Sequence, residues 1–431
     1  MSFSNYLHGV EVDERVDGAP SIAPIRTSVI GIVGTAIQGD NDEPVLLKTP
    51  GDAAKAFGSI SLAKEAFEAA ELAVKTLQAR IDALPEGEER SALEEKLAEA
   101  TAKQTEAKTA LDTISATTLP RALEAINFQT SPLVVAVKIK DDTAASAMGD
   151  AALGTGLYTL LKAQAKVGYT PKVILAPTYA SDSGVQTAMF TVCDKLRAVA
   201  VIEGTIENTS AEVKAMAATQ GSSRYYLAHP WVEGEGNVGD MPLSPFIAGL
   251  IASNDGNNGF WSNPSNKEIR GIKRLKQDIE WSLSDPNSEA NLLNEKGVAT
   301  VIRHNGWRLW GARTLGKGNK KDDANKFLNV RRITDTINDS IAKSTIWAVD
   351  EDITKNYIQD VLESVNNYLR NLRREGAIIN GNAWVDPEDN PPENIKEGKV
   401  IFSHDYTPVY PGEQVKFKSI LTDKYLTEVF E

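Results

Sequence analysis

The 431-residue chain is predicted to be an α/β protein, α+β overall, with a mixed α/β body, an antiparallel helical hairpin and strand-like segments near both ends. Three observations predict this. Short β-branched runs alternate with helical stretches between residues 133 and 230. Two heptad stripes of equal length lie on either side of a Pro/Gly turn between 62 and 114. Strand-like apolar segments stand near both termini, attached through polar or Pro/Gly-bearing linkers. The length suggests two or three domains.

From the beginning, Val10, Val12 and Val16 alternate roughly with charged positions, and Gly18, Pro20 and Pro24 then interrupt the pattern, so residues 1–26 read as an arm. Ser28–Thr35 (SVIGIVGT) is a short buried strand. In the hairpin, Ala63, Phe67, Ala70, Val74, Leu77, Ile81 and Leu84 form the first stripe. After Pro85-Glu86-Gly87, Leu93, Leu97, Ala100, Gln104, Ala107, Leu111 and Ile114 form the second. Each arm of the hairpin would be roughly 35 Å long. It holds seven basic and twelve acidic residues, which read as a solvated outer face, a partner surface being the alternative.

Strands are predicted at Leu133–Ile139, Lys172–Ala176, Ala198–Ile202 and Arg224–Ala228, with helices Ala151–Val167 and Val185–Leu196 among them. Ser253–Asn266 reads as a long loop. Val298–Arg303 and Trp307–Trp310 read as strands flanking a His304-Asn305-Gly306 turn, followed by amphipathic helices over 331–349 and 353–375. In the second helix Ile358, Val361, Val365, Tyr368 and Leu372 make one apolar stripe. Arg370, Arg373 and Arg374 crowd its last turn, and Gly376 ends it. Val400–Phe402, Val415–Leu421 and Tyr425–Phe430 are expected to be strands.

Composition excludes several classes of function. Apolar residues at 42% and charged residues at 24% exclude wholesale disorder. Forty-six basic against 59 acidic residues give a net charge of -13, which argues against a nucleic-acid partner. The one cysteine, Cys193, excludes an intrachain disulfide and reads as a small buried hydrophobe. His8, His229, His304 and His404 match no metal-ligand spacing. The start MSFSNYLHGVEV does not resemble a secretory signal, and the longest apolar runs, Pro132–Val137 and Phe246–Ala252, are too short to span a bilayer. No membrane insertion is expected, and the cytoplasm is the expected place of assembly.

Catalytic motifs are incomplete. Gly311-Ala-Arg-Thr-Leu-Gly316-Lys317-Gly318 has the glycines and lysine of a phosphate loop but lacks the closing Ser or Thr. Gly154-Thr-Gly156 lacks the third glycine of a dinucleotide fingerprint, and Asn254–Gly259 lacks the carboxylate spacing of a calcium loop. Asp141-Asp142 and Asp322-Asp323 sit in polar surroundings and read as solvated. No cofactor, metal site or catalytic residue is predicted, and the chain does not read as an enzyme.

Three long runs resemble a known family: GFWSNPSNKEIRG from Gly259, ANLLNEKGVATVIRHNGWRLWGARTL from Ala290, and IWAVDEDITKNYIQDVLESVNNYLRNLRREGAIIN from Ile346. They resemble the sheath proteins of contractile phage tails and of R-type pyocin particles. HGVEV, SVIGIVGTA and LTEVF resemble the same proteins near the ends. The hairpin, about 62–119, looks like an insertion relative to shorter sheaths, and residues 205–255 match only loosely.

The resemblance implies an N-terminal arm (1–26), an outer α/β domain (27–289), a C-terminal core domain (290–420) and a C-terminal arm (421–431). It implies subunits stacked as rings on an inner tube, each adding strands to a neighbour's sheet through its arms. Val10, Val12, Val16, Leu426 and Val429 would lie in those arms. Ordinary edge strands of the chain's own domain are the alternative reading of these ends.

The helix ending in Arg370, Arg373 and Arg374 resembles the element by which sheaths grip the tube. Complementation of the helix C-terminus accounts for the same charges equally well. The implied partners are other copies of the chain, the tail tube protein, and baseplate and tail terminator proteins. The implied location is the virion tail, assembled in the host cytoplasm. The sheath of a type VI secretion or extracellular contractile injection system is the alternative within the class. A soluble α/β enzyme or ligand-binding protein is the alternative outside it.

Overall fold

The computed structural model describes residues 21–430. Val10, Val12 and Val16 lie outside them. The described strands are β1 Ile30–Gly34, β2 Pro44–Leu47, β3 Val134–Lys138, β4 Val173–Leu175, β5 Val199–Glu203, β6 Tyr225–Ala228, β7 Val232–Gly234, β8 Gly239–Met241, β9 Ile272–Leu275, β10 Val298–Arg303, β11 Trp307–Trp310, β12 Ile378–Trp384 and β13 Ser403–Pro408. Eight of them form one sheet in the order β11-β10-β6-β5-β4-β1-β3-β2. The six inner strands run parallel, and β2 and β11 pair antiparallel at the two edges.

Alternate side chains of these strands enter two separate cores, as the two-residue period requires. Ile30, Ile32, Val134, Ala136, Val199 and Val201 face the helices Thr118–Asn127 and Ser244–Asn258. Val33, Val135, Val137, Ala200 and Ile202 face Ser183–Leu196 and Ser210–Thr219. Because both faces are covered, the strands read in sequence as continuous apolar runs. A smaller antiparallel sheet, β8-β7-β9, stands beside the body.

The predicted hairpin is present as helices Ile60–Asp82 and Glu88–Ser115. Its buried residues are Ile60, Ile81, Leu93 and Ile114, close to its two ends. Two helices alone cover each other on one side only, so the middle of the stripe stays partly open.

Two predicted elements are corrected. The loop expected at Ser253–Asn266 starts later, because Ser244–Asn258 is helical and Gly259, at φ +83°, ends it. Its polar tail is satisfied locally: Asn254 Nδ2 donates to Ser262 O at 2.9 Å, and Asn258 Nδ2 donates to Asn254 Oδ1 at 2.9 Å. The helix expected over Ala151–Val167 is a turn, a 3₁₀ segment Gly156–Lys162 and a short helix Ala163–Val167. Gly154 and Gly156 have φ of +66° and +54°, which a continuous right-handed helix cannot contain.

Beyond residue 327 a third core forms. Helices Leu328–Ser344 and Lys355–Glu375 pack with the β12–β13 hairpin through Ile333, Ile337, Val365, Tyr368, Leu369, Leu372, Ile378 and Ala383. Gly376 ends the second helix at φ +85°, as its position in the sequence predicts. The strands β10 and β11, grouped in sequence with the C-terminal part, belong to the large sheet. Ile22 packs into this third core, so the described part of the N-terminal segment is anchored there. Among the described residues, no helix is long and apolar enough to cross a membrane.

Candidate assembly surfaces

A buried ionic seam joins the C-terminal unit to the body. Asp335, on Leu328–Ser344, accepts from Arg224 Nη1 at 3.0 Å and from Arg331 Nη2 at 2.7 Å, and all three side chains are buried. One turn further on, Asp339 pairs with Lys172 and, at 3.4 Å, with Arg197. Arg332 pairs with Asp255, which also accepts from Thr27 Oγ1 at 2.7 Å. Ile25 N–H donates to Ser340 Oγ at 3.1 Å. Lys172, Arg197 and Arg224 stand at the starts of β4, β5 and β6, so one helix face ties the amino ends of three strands. Burial lowers the Lys172 ammonium from its ordinary range, against the opposing pull of Asp339. Such a seam orients the two units and penalises loss of any one partner.

The chain itself occupies the positions where its fold and its phosphate-loop-like segment would hold a ligand. In an open parallel sheet a ligand crevice forms at the carboxyl ends of strands where the order reverses, here between β1 and β4. Helix Thr118–Asn127 docks at the end of β1. Thr35 N–H donates to Thr118 Oγ1 at 2.8 Å, and Thr118 N–H donates to Thr35 Oγ1 at 3.0 Å. Tyr179, just beyond β4, donates its hydroxyl to Asp142 at 2.5 Å. Asp142 is exposed, as the sequence suggested, and also accepts this one bond.

The phosphate-loop-like segment is also occupied. Lys317 Nζ donates to Ala217 O at 3.0 Å and Ala218 O at 3.1 Å, closing the end of helix Ser210–Thr219. Asp322 accepts from Ser223 N–H at 2.9 Å.

The structure also groups Ser210, His229 and Glu289, which sequence reading did not connect. Ser210 Oγ donates to Glu289 at 2.5 Å and lies 3.4 Å from His229 Nε2. The serine is thereby committed to the carboxylate, and burial pushes His229 down to about 4. A base–orienter chain requires the carboxylate on the imidazole, which these bonds do not provide. Among the described residues no group of His, Cys, Asp and Glu could hold a metal ion. Cys193 is buried, and burial pushes its thiol up.

The exposed surfaces are more distinctive. Every described side chain from Gln414 to Leu426 is exposed, with Val415 at 70%, Phe417 at 89% and Ile420 at 69%. Leu426 and Val429 are exposed as well. The strands expected here are corrected: Val415–Leu421 is extended without a ladder, and Leu426–Phe430 is a 3₁₀ turn. A strand needs a neighbouring backbone, and none pairs with this segment among the described residues. The strand expected at Val400–Phe402 begins at Ser403.

Arg370, Arg373 and Arg374 are exposed together at the end of Lys355–Glu375. Arg370 donates to Asn367, and Arg374 Nη2 donates to Asn371 Oδ1 at 3.0 Å. Both of these bonds are to neutral amides, so neither pairs its arginine with an acidic side chain. The β12–β13 sheet, on the same unit, has two strands among the described residues and hence two edges, the β12 edge being met at Ala383 by the Asn366 amide.

Comparison with known proteins agrees along the whole chain. Residues 153–315 match the phage tail sheath protein central domain, and residues 320–422 match the phage tail sheath C-terminal domain. A prophage major tail sheath protein of Pseudomonas aeruginosa (strain UCBPP-PA14) is 33% identical, over 99% of both chains. The tail sheath protein of Escherichia phage P2 is 27% identical, over 99% of this chain and 98% of that protein.

Two solved structures share the fold. The anti-feeding prophage helical sheath in its contracted state has a TM-score of 0.63 at 17% identity, covering 97% of this chain and 100% of that one. The contracted sheath complex of the extracellular contractile injection system PVC has a TM-score of 0.63 at 15% identity, covering 98% and 99%. An uncovered apolar tail segment and end-to-end identity of one third with a sheath protein meet in one conclusion: the chain belongs to the phage tail sheath proteins, the structural subunits of contractile tails.

Proposed function

We propose that this sheath subunit polymerises as stacked rings on a tail tube, joined to neighbouring copies through its two arms, and acts by contraction rather than catalysis. The observation that carries the reading is the exposed apolar segment after Glu413. Fully burying one such side chain contributes about 1.5–3 kcal/mol, a gain that recurs at every subunit of a helical lattice. The arm adds a strand to an open edge of a neighbour's β12–β13 sheet, where main-chain bonds give the link and alternate side chains set register. Both described arm roots meet the C-terminal unit, which suits a mesh that stays connected while the outer body moves.

The working division is then an α/β outer body up to about residue 318, a C-terminal unit that takes in residues 21–27, and an arm from 414 onward. The residues before 21 form the second arm. Arg370, Arg373 and Arg374 face acidic groups of the tube in contacts that are individually weak and repeated many times. Contraction replaces one intersubunit packing by a better one and uses no nucleotide. Baseplate and terminator proteins hold the two ends, and assembly takes place in the host cytoplasm. The sheath of an extracellular injection particle is the second reading, favoured by the fold shared with the anti-feeding prophage and PVC sheaths. Particles bearing DNA-filled heads would exclude it.

Negative-stain electron microscopy of the purified chain tests the main proposal. Long striated tubes are expected from the intact chain, and loss of tubes is expected when residues 1–18 or 414–431 are removed. A chain that stays monomeric at high concentration would overturn assembly as its mode of action.

A further inference from the structure

We propose that Arg313 is a positioning residue for the C-terminal arm: it clamps Glu413, the last residue tied to the body, and its release lengthens the arm. The inference rests on the reading of residues 414–431 as an intersubunit arm. Arg313 Nε donates to both Glu413 carboxylate oxygens, at 2.8 and 3.0 Å, and Nη2 donates to Oε2 at 2.6 Å. This forked geometry fixes direction as well as distance. Arg313 is itself held by the body. Thr314 N–H donates to Lys326 O at 2.7 Å, and Leu328 N–H donates to Ala312 O at 3.0 Å.

The chain just before Glu413 has weaker ties to the same place. Asn329 Nδ2 donates to Val409 O at 3.1 Å, and the Tyr410 ring meets Phe327 edge-on at 6.3 Å. Between them and the clamp stand Pro411 and Gly412, and a Cβ on Gly412 would meet open space. Beyond the clamp the described hydrogen bonds are local, as in Leu426 N–H to Asp423 O at 2.9 Å and Glu428 N–H to Tyr425 O at 3.1 Å. Glu413 is therefore the boundary between fixed and free chain.

The clamp is built to give way. Both partners are about one third exposed, with 36% and 33% of their side-chain surface accessible, so solvent and salt weaken the pair. An arm engaged through several main-chain hydrogen bonds outlasts it under tension. Releasing residues 409–413 adds up to about 17 Å of reach at about 3.3 Å per residue. The segment that resembles a phosphate loop thus holds the chain's own carboxylate, on its arginine. A lattice that changes spacing can draw on this slack without breaking its links.

A nitroxide on Lys416→Cys in the full-length chain, dispersed at low concentration, reads the clamp directly, since native Cys193 is buried. Arg313→Glu and Glu413→Arg should each shorten the label's correlation time by half or more, and molar salt should do the same to the unmodified pair. The double exchange Arg313→Glu with Glu413→Arg should restore slow motion, which a general loss of folding would not permit. Equal mobility in all four proteins, or no rescue by the exchange, overturns the clamp. The arm reading is judged separately: a chain lacking residues 414–431 that still forms tubes overturns it, whatever the label reports.

Discussion

Strand β3 and the segment after Glu413 have similar sequences and opposite fates. LVVAVKI lies between β1 and β2 with four of the five β3 residues buried. QVKFKSIL, also apolar and strand-like in composition, stays exposed and unpaired among the described residues. The difference teaches that strand propensity describes fit to a neighbour rather than a property of the segment itself. Where the described residues offer such a segment no neighbour, a partner from another molecule is what the proposed arm would supply.

Four experiments break or sharpen that contrast. The largest effect is expected in the seam of the body. Asp335→Ala leaves Arg331 buried without its anion and Arg224 with only the exposed Asp194, and should cost about 3–5 kcal/mol, read by chemical denaturation of dispersed subunits. A loss under 1 kcal/mol would mean that water replaces the carboxylate and that the two units are loosely joined.

Next is Glu203, whose buried carboxyl is raised from its ordinary 4.5 to about 8. Its Oε1 accepts from Thr178 N–H at 3.0 Å, while Oε2 and the Ser244 hydroxyl are buried without partners. Above 4.5 the unfolded carboxyl ionises and the folded one holds its proton to about 8. The unfolded state then binds fewer protons, and stability falls by up to about 1.4 kcal/mol for each pH unit in that window. Glu203→Gln should flatten the decline, giving a stability difference that grows from pH 5 to pH 8. An unchanged pH profile would show that the group is ionised and solvated in the fold.

Smaller in stability, and confined to function, is the arginine cluster. Arg370→Glu combined with Arg373→Glu and Arg374→Glu should weaken co-sedimentation with tail tubes and lower the melting temperature only slightly. A lower melting temperature with unchanged tube binding would assign the charges to the helix end alone. The smallest effect on the subunit is expected at the tail itself. Phe417→Ser should leave stability within about 0.5 kcal/mol, since the ring touches solvent, yet reduce tube length in micrographs. A cost above 1 kcal/mol would place the tail on its own body and erase the contrast.

How much could be read in advance depends on the reach of the interaction concerned. The hairpin was legible because its stripes and its turn lie within 62–114, and the helix ending at Gly376 was legible for the same reason. The helix Ser244–Asn258 was not read as a helix: Phe246–Ala252 stood only as a short apolar run, and Ser253 to Asn258 are poor helix formers, here satisfied by bonds to Asn254 and Ser262. The Arg313–Glu413 and Arg224–Asp335 pairs span 100 and 111 residues and have no local signature. Ser210, His229 and Glu289 likewise meet only through folding.

By itself the sequence determined the alternation of strands and helices, the hairpin, the helix stops and the family, since each rests on residues near one another or on long unbroken runs. It also determined that the end of the chain is apolar and alternating. Tertiary structure alone decided that β10 and β11 close the large sheet and that Thr118 fills the ligand crevice. It alone decided that the last stretch of chain is left without a partner. These outcomes depend on which distant backbones and charges come together once the cores are packed, and no local period or propensity encodes that.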